Sequence, residues 1–170
     1  LEGSHRDELA VCTELRTEFL RDPTRDGKPQ EIRDRQVEIR PALDGAFYGH
    51  VDDGDVAAVR ETKPPLHWPL AFWYVYFGPG DAGFDAVVGN PPYYSEPRGH
   101  KTDFRLYRQS PAVGAYYEDK MDVCCFFVAR AIDIAHPGAR VGYLLPGYWN
   151  TRSSVARMNR KLASEARLTR

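Results

Sequence analysis

Beyond residue 80 the apolar positions follow two different rhythms. Phe84–Gly89 (FDAVVG) is nearly continuous after its Asp85, a run typical of a parallel strand covered on both faces. Asp122–Ala135 has a helical period instead. Val123, Cys124, Phe127, Val128, Ala131, Ile134 and Ala135 form one stripe, and Asp122, Arg130 and Asp133 fall on the other side. His136-Pro137-Gly138 predicts its end. Arg140–Leu145 (RVGYLL) is a second short apolar run, closed by Pro146-Gly147. Thr151 or Ser153 is placed to cap a last helix reaching about Glu165. Between the first strand and the first helix, Ser95–Pro111 is polar and carries Pro97, Gly99 and Pro111, which predicts a long, mobile, functional loop. The order strand, loop, helix, strand, helix is a βαβ unit of an α/β fold with parallel strands. Ligands of such sheets sit beyond the carboxyl ends of the strands. Asn90–Tyr93 occupies that place after one strand and Pro146–Asn150 after the other.

The pattern is weaker upstream. Arg6–Leu20 has near-helical spacing, ended by Asp22-Pro23, and Asp22–Gln30 has loop composition. Glu31–Leu43 fits either a helix before Pro41 or a strand over Val37–Ile39. Asp44–Pro65 is rich in Gly, Asp and Pro and predicts irregular chain, with a helical turn near Val56–Glu61. The tract WPLAFWYVYF after His67 predicts a buried strand or core segment, and Gly78–Gly83 a turn. The expected organisation is thus a helical and irregular segment over 1–65 and an α/β part over 66–170. The opening LEGSH resembles an expression-vector scar.

Composition narrows the class. Of 170 residues, 42% are hydrophobic and 28% charged, the balance of a water-soluble globular chain. No apolar run reaches the roughly 18–20 residues of a membrane helix, and no signal peptide is visible, so a bacterial cytoplasmic setting is expected. The net charge of −1 lacks the basic excess of a self-sufficient nucleic-acid binder. The charge is uneven, however. Arg98, Lys101, Arg105 and Arg108 stand in 95–110, and Arg152, Arg157, Arg160, Lys161, Arg167 and Arg170 face only Glu165 in the last segment. Cys12, Cys124 and Cys125 have no metal-binding spacing and fit core packing in a reducing compartment.

Asn90-Pro91-Pro92-Tyr93 carries the chemistry. Two adjacent prolines offer no ladder N–H and stop the strand. They also make a rigid corner. An exocyclic amine on a base is a poor nucleophile because its lone pair is delocalised into the ring. The Asn90 side-chain oxygen can accept one of its N–H groups and the Pro91 carbonyl the other, which favours a tetrahedral nitrogen with its lone pair turned outward. Tyr93 can stack on a base extracted from a duplex.

FDAVVGNPPY resembles motif IV of the S-adenosylmethionine-dependent N6-adenine DNA methyltransferases of the large bacterial restriction–modification and phage-defence type. LHWPLAFWYVYFGPGDAG upstream and DVCCFFVARAIDIAHPGARVGYLLPGYWN downstream are similar to the flanks of that motif, so the likeness spans about His67 to Ala163. It implies a partial Rossmann-like methyltransferase fold, S-adenosylmethionine as cofactor, no metal, and double-stranded DNA with a flipped adenine as partner. It implies that Asn90, Pro91 and Pro92 hold the target amine and that Tyr93 stacks on the base. Tyr94, Lys101 and Arg105 are further candidates for touching DNA. Asp122 is expected as a helix cap, and Arg140 with the C-terminal arginines as a solvated face.

The chain departs from the family pattern in one respect. No glycine-rich FxGxG turn precedes the motif IV strand; GPGDAG lies directly against that strand, in the wrong topological place. A piece of a catalytic domain is therefore expected, needing other parts of a parent chain or a partner subunit, and inactive by itself. The same four residues also suit methylases of a protein glutamine or of a guanine amine in RNA, and a catalytically inactive structural subunit is the non-enzymatic alternative. The HWPLAF approach and the DVCCFFVARAI helix favour the DNA enzymes.

Overall fold

The computed structural model describes residues 17, 21, 28–49, 54, 65–76, 80–96, 99–151 and 153–169. The expected vector scar, most of the Arg6–Leu20 helix, the Asp22–Gly27 part of the first loop and the Val56–Glu61 turn lie outside them. The chain divides into two compact units, Leu1–Ala82 and Gly83–Arg170.

In the first unit, α1 runs from Lys28 to Tyr48 with Pro41 inside it. The helical alternative for Glu31–Leu43 holds, and the helix continues through the start of the stretch expected to be irregular. Pro41 removes a bond to the carbonyl of Val37, and Val37 is 70% exposed, on the face open to water. Ile39 is buried against Leu70, with Leu43 beside them. The Gln36 amide donates to the Leu70 carbonyl at 3.0 Å, and His67 Nε2 lies 2.7 Å from Asp44 Oδ1. The aromatic tract is not a strand. It forms two single-turn helices, α2 (Trp68–Ala71) and α3 (Trp73–Tyr76), with Leu70 and Trp73 buried. Pro69 sits in the first turn of α2, where a missing N–H costs nothing. The core-segment reading of this tract survives.

In the second unit, β1 (Phe84–Gly89) pairs in parallel with β2 (Ala135–Tyr143). Between them lie α4 (Lys101–Gln109) and α5 (Cys124–Ile134), and α6 (Ala156–Glu165) follows β2. The α/β class and the βαβ order are as expected. Four details differ. The polar stretch 95–111 contains α4 rather than one long loop. Its anchor is Phe104, wholly buried and 5.8 Å from the ring of Phe126 on α5; burying such a ring contributes about 1.5–3 kcal/mol. Second, β2 begins at Ala135, directly after α5, so His136-Pro137-Gly138 belongs to the strand. Phe84 pairs with Ala135 but Ala86 with Arg140, and the surplus residues bulge out of β2. Third, β1 is not covered on both faces, since Val88 is 82% exposed. Fourth, Phe127 is exposed, whereas Cys125, Phe126, Ala129 and Asp122 are buried, so α5 is sunk deeper than a single stripe predicts.

The core of this unit joins Phe104, Met121, Val123–Phe126 and Val128 to Val155, Met158 and Leu162 of the last helical segment. Neither Thr151 nor Ser153 caps α6. A short 3-10 turn over Ser153–Val155 precedes it, and the Thr151 hydroxyl donates to the Tyr148 carbonyl. The cap comes from far away in sequence, because the Arg157 N–H donates to Glu118 Oε2 at 2.8 Å. Lys161, on the inner side of α6, lies 2.7 Å from both Asp133 and Glu165. Burial works against its charge, but the two carboxylates outweigh that and its pKa is raised. Among the described residues, no helix is long and apolar enough to cross a membrane.

Candidate functional site

The site forms where the β1–β2 ladder runs out. Leu144 N–H donates to the Gly89 carbonyl at 3.1 Å, the last rung before the prolines. Neither Pro91 nor Pro92 can extend the ladder, so the chain turns away. Pro91 is buried, while Asn90, Pro92 and Tyr93 are exposed. The chain is caught again two residues on. The Val123 N–H, one of the donors that the start of α5 leaves without a helical partner, gives its hydrogen to the Tyr94 carbonyl at 2.9 Å. Ser95 and Asp122 form an isolated antiparallel bridge. The four-residue corner is thus held at both ends by backbone hydrogen bonds, one to Leu144 just past β2 and one to Val123, the N-cap of α5. Asp122 serves this junction through its backbone bridge to Ser95, and Val123, which leads into α5, makes no side-chain cap bond.

Within the corner, Asn90 and Tyr93 meet. The Tyr93 hydroxyl lies 2.5 Å from Asn90 Oδ1 and 2.7 Å from the Leu144 carbonyl. The ring therefore leans across the carboxyl ends of both strands, and 43% of Tyr93 remains open to solvent.

Tyr94 faces the other way. It packs on the core cluster, stacks on His100 at 4.1 Å between centroids, and shares a 2.9 Å hydroxyl–hydroxyl bond with Tyr107. Burial, and then this bond, push the Tyr107 hydroxyl well above the usual phenol range. Tyr94 thereby connects the corner to α4, since His100 immediately precedes that helix. Lys101 and Arg105, four residues apart on α4, are both exposed. The structure thus brings Asn90 and Tyr93 into contact, keeps Tyr94 in the packing behind them, and sets Lys101 and Arg105 on a neighbouring helix face.

The sequence reading misses the partner of Tyr93. The Leu144 carbonyl is 51 positions away, and a backbone acceptor carries no residue-type signal. Only the parallel register, which aligns Gly89 with Tyr143, could have placed Leu144 beside the corner.

A cavity of about 900 Å³ lies along β2, lined among others by Val128, Ile132, Tyr143, Trp149 and Leu162. None of Asn90–Tyr94 borders it. Glu165 is the one carboxylate in its lining, and Lys161 already engages it. This cavity therefore does not seat S-adenosylmethionine beside the motif.

No curated protein and no solved structure matches the chain. The profile of the Eco57I restriction-modification methylase family matches residues 20–170, nearly the whole length. Matched over that span, the chain belongs to the Eco57I restriction-modification methylase family.

Proposed function

We propose that this chain contributes the amine-binding corner of a DNA methyltransferase that modifies N6 of an adenine turned out of the duplex. Family membership supports methyl transfer to DNA in a restriction–modification system. The observation that carries the finer reading is the exposed Asn90 at the carboxyl end of β1, anchored on both sides by backbone bonds.

The reading assigns each group a task. Asn90 and the Pro91 carbonyl accept the two hydrogens of the amine. Held there, the nitrogen lone pair is drawn out of conjugation and aimed away from the ring, a gain largest in the transition state. Rigidity matters, because an acceptor that had to be ordered on binding would lose part of that gain to entropy. The prolines and the two backbone anchors supply the rigidity in advance. The Tyr93 ring covers the base, and Lys101 and Arg105 meet phosphate, where each contact adds affinity but no sequence preference. Tyr94 braces the corner from behind. S-adenosylmethionine is the donor that the resemblance implies. The catalytic part begins near residue 66.

The test is the chemical identity of the product. The intact methylase, given duplex DNA and labelled methyl donor, is expected to yield N6-methyladenine in digested nucleosides. Label confined to cytosine, or to a protein glutamine offered in parallel, contradicts the assignment.

A further inference from the structure

The Tyr93 hydroxyl has one hydrogen and two neighbours that are both acceptors, Asn90 Oδ1 at 2.5 Å and the Leu144 carbonyl at 2.7 Å. One O–H cannot point at both, and whichever oxygen is left would face the Tyr93 oxygen lone pair to lone pair. The Leu144 carbonyl has no other form to adopt. The carboxamide does. Its two ends are nearly the same size and exchange places by a half-turn about the last side-chain bond. After that turn the Asn90 Nδ2–H donates to Tyr93, Tyr93 donates to Leu144, and every group is satisfied. An N–H···O contact is a few tenths of an ångström longer than 2.5 Å, a small adjustment for two exposed side chains.

We infer that the Tyr93 hydroxyl is a positioning group: anchored on the Leu144 carbonyl, it holds the Asn90 carboxamide with nitrogen inward and oxygen outward. The inference rests on the amine-binding reading and deepens it. An outward oxygen accepts from an amino group and repels a carbonyl, so the relay makes the corner selective for an amino-bearing base over its keto counterpart. Without the hydroxyl the carboxamide is free to turn, and for part of the time it presents an N–H to a target that is itself a donor. The residue just past β2 therefore takes part in substrate choice through its main-chain oxygen, although its side chain need not touch the base.

Tyr93→Phe keeps the ring and removes the relay. The direct readout is the Asn90 side-chain NH₂ pair in nitrogen-15 spectra of the chain. In the wild type, one of its two protons is expected to be shifted downfield and to exchange with water about tenfold more slowly than an unbonded amide, the protection of one ordinary hydrogen bond. In Tyr93→Phe both features should vanish while the rest of the spectrum keeps its dispersion. In the intact methylase the same variant is expected to lower kcat about tenfold, the worth of one such bond in the transition state, with KM within about twofold.

Identical Asn90 signals in the two proteins would overturn the relay, as would an unchanged kcat in Tyr93→Phe. Undiminished methylation by Asn90→Ala would instead remove the amine-binding reading, and the spectra would still decide the orientation of the carboxamide.

Discussion

The two ends of the β1–β2 pair are closed by different means. At the N-terminal end the closure is backbone against backbone. Gly83 has φ +121°, and a Cβ placed on it would stand 2.5 Å from the His136 nitrogen. His136 reaches across to Asp85 at 3.0 Å, and β2 bulges to let the chains converge. At the C-terminal end the ladder stops at prolines, and the strands are bridged by one phenol hydroxyl between an amide and a carbonyl. The first closure leaves no room for a side chain at residue 83. The second is made of exposed polar atoms that a ligand can reach. Within one small sheet, stability and chemistry are concentrated at opposite ends.

That contrast breaks most readily at Gly83. Gly83→Ala places a methyl group against backbone and forces a residue with a side chain into the left-handed region. It should cost about 1–3 kcal/mol, measured from urea midpoints, while the fraction that stays folded keeps its activity. A neutral substitution would mean that the N-terminal closure is loose.

High pH should weaken the second unit without touching the logic of the corner. The Cys125 thiol is pushed up by its bond to Cys124 and then by burial. Tyr107 is pushed up by burial and by Tyr94, Tyr143 by burial, and Lys161 by its carboxylates despite its burial. Each of these groups keeps its proton in the folded chain beyond the pH at which the unfolded chain gives it up. The folded state then holds more protons, so stability falls as pH rises. The decline should begin near pH 8.5, where unfolded cysteine ionises, and steepen above about 10, where tyrosine and lysine do. Denaturation midpoints at pH 7, 9 and 10.5 check the sign. A midpoint that rises over that range would contradict it.

The smallest effect is expected at Asp85→Asn. The Asp85 side chain is fully exposed, and an ion pair there is screened by water. The midpoint should not move measurably. A clear loss would transfer the work of the N-terminal closure from Gly83 to the His136–Asp85 pair.

The parts of this structure that show in the sequence are those where one local rule decides. Val87 and Val88 next to two prolines make a strand and its stop, and the period of Val123–Ile134 makes a helix. The parts that do not show depend on distant partners. Phe104 makes 101–109 a helix because Phe126 waits for it, while Gly99 and Pro111 nearby read as loop. Pro41 does not end α1, because Ile39 and Leu70 hold that helix from one side. The last helix is capped by Glu118 and not by the hydroxyls that precede it. At the site, residue types point to Asn90, Pro91, Pro92 and Tyr93. The bond from Tyr93 to Leu144 is visible only once the strands are paired.

The most direct test of the central claim is Asn90→Ala in the intact methylase, with folding checked by its denaturation midpoint. Losing a preorganised acceptor aimed at the reacting nitrogen should lower adenine methylation about 10²–10³-fold and leave the midpoint where it was, because Asn90 is exposed. Methylation at the wild-type rate by the folded variant would contradict the claim that this corner holds the amine.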